Sequence, residues 1–322
     1  MKTYHKKLII IILSLFISYI ILDSLLFSHK LYYSPGAIFS QSMIDTKLGL
    51  LKELPPSKKT IFIGGSSVSY GVDCELLSQK FEPTSFNFGC MVGLGPEILF
   101  ENIKTYLNSG DTIVFCLEYG TYNFERTNRN LNYLALMLGP QEKVFSELPA
   151  LDQLSIKLYF PLKQVRYSLF SLLSSTHSLN QIYKCGWSFD RLGNVTSNNG
   201  NKKSFAELEL SPLSPLLSEI AIHEDLNIIM NNILHFTQKN GIKTLATWPN
   251  TYKNSSYEGN ELVFNNFNTI KMFWQEHGID IIGNPTDAML SAEYFYDSVY
   301  HLNKEGTKIR TLQLVNDLHF LK

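Results

Sequence analysis

Two stretches far apart in this 322-residue chain carry side chains suited to acyl chemistry. The first is Ile63-Gly64-Gly65-Ser66-Ser67-Val68-Ser69-Tyr70-Gly71, a glycine pair followed by hydroxyls. Such a turn lifts a serine above the C-terminal edge of a parallel sheet, where open α/β proteins keep their sites. A serine gains there from the field of a helix N-terminus but stays a weak nucleophile without a base. Alone, the stretch also reads as an ordinary turn with a Ser cap. No Gly-Lys-Ser/Thr follows, which excludes a phosphate-binding P-loop. The second stretch, Tyr296-Asp297-Ser298-Val299-Tyr300-His301-Leu302-Asn303-Lys304-Glu305-Gly306, sets an acid and a histidine on one loop before the last expected helix. A carboxylate so placed holds one imidazole nitrogen while the other takes a proton from a serine.

The elements that must position these groups follow from the apolar pattern. Thr60 to Ile63, Ser85 to Phe88 and Thr112 to Leu117 read as buried strands, and Glu97 to Leu107 has helical spacing between the last two. A helix over about Glu219 to Asn240, a strand at Ile242 to Trp248, a helix from about Glu261 to His277 and a strand at Ile279 to Ile282 continue the rhythm. A final helix begins near Asn303. Strands alternating with helices indicate a parallel sheet with crossovers. Residues 140–182 are helical in tone and 183–205 are polar and turn-rich, so about 140–205 reads as an insertion in one domain spanning 59–322. Trp248-Pro249-Asn250 follows a strand toward the same sheet edge. His223, His235 and His277 fall in helical stretches and read as surface or capping residues.

The N-terminus is different in kind. Lys2, Lys6 and Lys7 precede Leu8 to Phe27, which is apolar apart from small hydroxyls, Tyr19 and Asp23. As a helix this run spans about 30 Å, the hydrocarbon thickness of a bilayer. No small-x-small site or lipobox cysteine follows it, so an uncleaved anchor is expected rather than a signal peptide. The flanking lysines put the short tail in the cytoplasm and the rest of the chain outside the cell membrane. Residues 1–30 are thus tail and anchor. Residues 31–58 read as a tether, broken at Pro35-Gly36 and Pro55-Pro56, with a short helix at Leu48 to Leu54.

Composition closes off other classes. Lys plus Arg number 28 against 29 Asp plus Glu, a net charge of -1 with no basic stripe, which disfavours nucleic acid. The four cysteines, Cys74, Cys90, Cys116 and Cys185, form no CxxC pair, so neither a structural metal nor a cofactor is expected. A Cys74–Cys90 bridge is open if the domain is extracytoplasmic.

The two stretches together resemble the SGNH, or GDSL-type, hydrolase superfamily. Its members carry a nucleophilic serine in a Gly-Asp-Ser-x-x-x-Gly turn after the first strand and an Asp-x-x-His pair before the last helix. Gly65 to Gly71 matches the first block with Ser66 in the Asp position, which makes Ser67 the implied nucleophile. Asp297 and His301 match the last block with one extra residue between them, so the loop must bulge or another acid such as Glu293 must orient the ring. Asn87-Phe88-Gly89-Cys90-Met91-Val92-Gly93 resembles the oxyanion block, implying N–H donors from Ser67 and from Gly93, or else Gly89, each worth about 3 kcal/mol. The block Gly-x-Asn-Asp is replaced by Leu117-Glu118-Tyr119-Gly120-Thr121-Tyr122-Asn123; either Asn123 reaches back, or Glu118 or Tyr119 lines the site.

The resemblance implies a three-layer α/β/α, flavodoxin-like parallel sheet, here preceded by one transmembrane helix. It also implies a membrane-anchored serine esterase or O-acyltransferase working on a cell-surface polysaccharide or acylated carbohydrate, beside a multi-spanning membrane acyltransferase. The alternative is a catalytically degenerate domain that binds glycan or scaffolds such a complex. A lipid-ester hydrolase with a cleft lined by residues 140–182 is a third reading.

Overall fold

The structure, a computed structural model, describes residues 2–28, 35–126, 131–157, 160, 188–200 and 215–319. Cys185 and much of the expected insertion, at 158–159, 161–187 and 201–214, lie outside the described residues.

Short β-branched and aromatic runs form the strands: β1 Lys59–Gly64, β2 Thr84–Gly89, β3 Thr112–Cys116, β4 Lys243–Thr247, β5 Thr251–Tyr252 and β6 Ile281–Ile282. Five of them make one sheet in the order β2-β1-β3-β4-β6, with every pair parallel. The central runs Ile61–Ile63 and Ile113–Cys116 are continuously apolar because both faces are covered. The described helices include α1 Lys2–Ser28, α2 Pro35–Lys52, α3 Ser66–Gly71, α4 Cys74–Lys80, α5 Gly95–Ile103, α6 Leu131–Met137, α7 Glu142–Ser146, α8 Glu224–Lys239 and α9 Glu261–Glu276. A last helix, α10 Lys304–His319, closes the chain.

Alternate strand residues feed two cores. Phe62, Val114, Cys116 and Leu245 pack with Val68 of α3, Val72 just after it, Leu77 of α4, and Leu314 of α10. On the opposite face Phe115 of β3 stacks on Trp274 of α9 with centroids 6.0 Å apart, and Phe100 of α5 meets Phe236 of α8 edge-on at 5.5 Å. Helices therefore sandwich the sheet in three layers. The strand order reverses between β1 and β3, and at such a switch point the loops after the two strands diverge and leave a crevice.

The chain divides into two compact units. Ser42–Asn128 with Cys185–Lys322 holds the sheet. Met1–Gln41 with Arg129–Lys184 is helical in its described part, where Tyr133, Leu134 and Val144 are buried and the Tyr19 hydroxyl donates to the Lys157 carbonyl. α1 exposes Leu8 to Leu13 and Leu15 to Ile17. Its side chains are described only at 4–19 and 21, so that of Asp23 is not among them, and among the described residues no helix is long and apolar enough to cross a membrane.

Two expectations change. Residues 35–52 are one helix rather than a broken tether: Pro35 opens α2, where a missing N–H costs nothing, and Met43, Ile44 and Leu51 are buried. Cys74, Cys90 and Cys116 are free, buried thiols, with no bridge between the first two. Burial pushes the Cys90 and Cys116 thiols up to about 11 and about 12, which keeps them protonated and inert.

Candidate active site

The serine turn is built by close approach. A Cβ on Gly64 would lie 2.2 Å from the Cys116 carbonyl oxygen and 2.5 Å from Val68, so only glycine lets β1 end against β3 there. Gly65 is the N-cap of α3 and offers no side chain to the helix's free N–H groups. Glu118, just past β3, supplies the missing cap: its Oε1 accepts the Ser67 N–H at 2.7 Å and the Ser66 hydroxyl at 3.2 Å. Register explains the meeting, because Gly64 pairs with Cys116 and both Ser66 and Glu118 lie two residues further on. Glu118 is 1% exposed and no basic side chain pairs with it among the described residues. Burial raises its pKa above the ordinary value, opposed by the Ser67 N–H and the nearby His301.

The two serines differ. Ser66 is half-buried and opens α3, whereas Ser67 is fully buried, its Oγ near Cys116 and Glu118 without a well-formed hydrogen bond to either. Behind them Asn87 of β2 is a hub. Its Nδ2 donates to the carbonyls of Val68 and Val72, both at 2.8 Å, and its Oδ1 accepts the Gly89 N–H at 3.0 Å.

The histidine arrives from a hairpin of β7 Phe295–Ser298 and β8 His301–Leu302, whose register is irregular between Phe295 and Ser298. This bulge absorbs the extra residue: His301 Nδ1 donates to Asp297 Oδ1 at 2.7 Å, and both side chains are about a fifth exposed, at 18% and 23%. Glu293 takes no part through its side chain; its backbone carbonyl accepts from Asn303 Nδ2. The imidazole lies flat on Tyr70 of α3, with ring centroids 4.1 Å and planes 9° apart. Thr307 of α10 donates to the Tyr70 carbonyl at 2.6 Å, and Asn250 donates to the Tyr300 carbonyl at 2.6 Å. The Oδ1 of that Asn250 sits 2.0 Å from where a Cβ on Gly71 would be, so only glycine fits there. Asn250 thus lies against both the serine helix and the histidine loop.

Of the residues expected at the site, Asp297, His301 and Glu118 gather around the start and inner face of α3. Gly89 packs under α3 with its N–H already taken by Asn87. Gly93 is half-buried in the single turn Val92–Leu94 ahead of α5. Tyr119 is buried with no hydrogen-bond partner for its hydroxyl. Asn123 does not reach back: its amide bonds the Glu219 carbonyl and the Ala221 N–H on another loop. The sequence assigns no role to Tyr70 and sets Ser66 only in the place of the family's Asp; Asn250, in a stretch that could line the cleft or simply make a turn, lies against Gly71 and the Tyr300 carbonyl. A cleft of about 480 Å³ lies elsewhere, lined by Ser69, Asp73, Asp190, Asn194 and Thr307 among others, and it touches none of Ser66, Glu118 or His301. The hydrogen bonds of Asp73, Asp190 and Asn194 there are spent on capping α4 and its neighbouring loop.

No family model and no curated protein matches the chain. Among solved structures it is similar to protein YxiM of Bacillus subtilis, at 12% identity and a TM-score of 0.37, over 82% of this chain and 57% of that one. The chain spans little more than half of that protein's length.

Proposed function

We propose that this chain is a serine-dependent ester hydrolase or O-acyltransferase in which His301, oriented by Asp297, serves a serine at the start of α3. The observation that carries the reading is the Asp297–His301 pair laid on the serine-bearing helix through Tyr70. A carboxylate on Nδ1 fixes the proton there and leaves Nε2 as the base.

Ser66 is the attacking hydroxyl in this reading, since it is the half-exposed one and Ser67 is sealed. His301 takes the Ser66 proton as Oγ attacks an ester carbonyl. The tetrahedral intermediate collapses, the C–O bond to the leaving alcohol breaks, and His301 returns the proton to that alcohol. Water or a sugar hydroxyl, deprotonated by His301, then attacks the acyl-serine; the acyl–Oγ bond breaks, His301 returns the proton to Ser66 Oγ, and an acid or a new ester is released. Glu118 holds the Ser66 hydroxyl and the Ser67 N–H in the resting site. Burial favours its neutral form, a weaker acceptor, which releases that N–H to a developing oxyanion more readily.

The membrane anchor, the extracytoplasmic domain, a surface polysaccharide as acceptor and a multi-spanning acyltransferase as partner belong to the same proposal. Its support is the lysine-flanked apolar run of α1, whose side chains from Leu8 to Ile17 are largely exposed, as a helix facing lipid would have them. A degenerate, binding-only domain is the second reading. It is favoured by Glu118 capping both the hydroxyl and the N–H that catalysis would use.

Fluorophosphonate labelling decides between them. Wild type and Ser67→Ala are expected to label and Ser66→Ala is not. Labelling lost only in Ser67→Ala returns the nucleophile to Ser67, and an unlabelled wild type sinks the enzyme reading.

A further inference from the structure

Lys47 of α2 is fully buried, and no carboxylate lies within ion-pair distance of it among the described residues. Its Nζ donates to the Asn87 carbonyl at 3.0 Å, to Asn87 Oδ1 at 3.3 Å and to Ser69 Oγ at 3.4 Å, and it lies 4.7 Å from the centre of the Phe189 ring. The Cys74 and Cys90 thiols and Asp190 are the titratable groups that act on it. Burial pushes the ammonium down to about 8. An isolated charge kept out of water is costly, and an apolar side chain of similar volume generally does as well or better for stability. Packing alone therefore gives no reason for a lysine here.

Its contacts give one. The Asn87 amide has two possible orientations, and only one points Nδ2 at the carbonyls of Val68 and Val72. With Lys47 and the Gly89 N–H both donating to Oδ1, the flipped amide would set its NH₂ against two donors. Ser69 is locked the same way: its hydroxyl donates to the Gly89 carbonyl at 2.5 Å, which leaves its lone pairs to Lys47. α3 is a helix of six residues, too short to hold its shape unaided, and these side-chain bonds fasten it to β2.

We infer that Lys47 is a positioning residue that fixes the Asn87 amide and Ser69 and thereby latches the serine-bearing helix α3 onto β2 from α2. The latch makes the placement of Ser66 depend on a helix outside the sheet's own strand–turn–helix unit. The inference rests on the acyl-transfer reading only for its effect on rate.

The test uses the full chain with Lys47→Met, which keeps the volume and removes the donor. Two quantities are read: amide hydrogen exchange at 68–72 against that of β1, and the rate at which fluorophosphonate labels the serine. Lys47→Met is expected to keep wild-type exchange in β1, to speed exchange at 68–72 about tenfold or more, and to slow labelling by about 10- to 100-fold, the size of effect that ångström-scale misplacement produces. Lys47→Gln, which keeps a donor without the charge, should recover part of both. Wild-type exchange at 68–72 in Lys47→Met overturns the inference. If that variant does not fold, Lys47→Gln decides: exchange quickened at 68–72 and not in β1 supports the latch, and equal change in both segments overturns it. A wild type that never labels defeats the acyl-transfer reading instead, and the exchange comparison still judges Lys47.

Discussion

His301 lies flat on Tyr70, ring centroids 4.1 Å apart and planes 9° from parallel, so the imidazole takes its position from the same short helix that carries the serines. Aromatic contact of this kind is worth about 0.5–1.5 kcal/mol beyond burial. Tyr70→Leu is expected to cut kcat on p-nitrophenyl acetate roughly tenfold with KM little changed, while Tyr70→Phe keeps the stack and the rate. Equal rates in all three proteins would show that the stack does not place the ring.

The 2.7 Å bond from His301 to Asp297 sets which imidazole nitrogen carries the proton. Asp297→Asn leaves the shape and removes the acceptor charge, so a fall in kcat of about 10² to 10⁴ is expected. Glu293→Gln is expected to change nothing, because Glu293 meets Asn303 through its backbone carbonyl. Steady-state rates of the two variants check this, and a reversed order would move the orienting role to Glu293.

What could be read from the sequence was local. The run Thr60 to Ile63 with its glycine pair announces a strand and a turn, and Asp297 and His301 stand close enough to imply a pair. The relation of Ser66 to Glu118 is not local: it exists because β1 and β3 pair in register, Gly64 opposite Cys116. A carboxylate at the end of β3 where an asparagine was expected was the available signal, but without the register its partner could not be named. α2 was missed for a similar reason. Pro35-Gly36 reads as a break unless it begins a helix, and Lys47, directly after Asp45 and Thr46, looks solvent-facing until its hydrogen bonds to Asn87 are seen.

Gly89 separates packing from catalysis. A Cβ there would lie 2.3 Å from the Ser69 nitrogen and 2.7 Å from the Val68 Cβ, contacts no rotamer change relieves. Gly89→Ala keeps the N–H yet is expected to cost about 1–3 kcal/mol of stability, read as a lower urea midpoint with unchanged slope. Wild-type stability with a depressed kcat would instead restore the oxyanion role expected for this glycine.

Glu118 ties stability to pH. Its pKa is raised chiefly by burial, so between the unfolded glutamate value of about 4.3 and the folded value the native state binds more protons than the unfolded chain. Stability from this group is therefore full below about pH 4.3 and is lost as pH rises through the folded pKa. Glu118→Gln has no proton to lose and keeps an acceptor for the Ser67 N–H. The melting temperature of Glu118→Gln relative to wild type is thus expected to rise as pH increases from about 4.5 to 8, checked by thermal unfolding at several pH values in one salt concentration. A difference that shrinks over that range would mean the carboxylate is stabilised on folding. Glu118 would then be an ionised cap of α3, and an oxyanion would have to compete with its full charge for the Ser67 N–H.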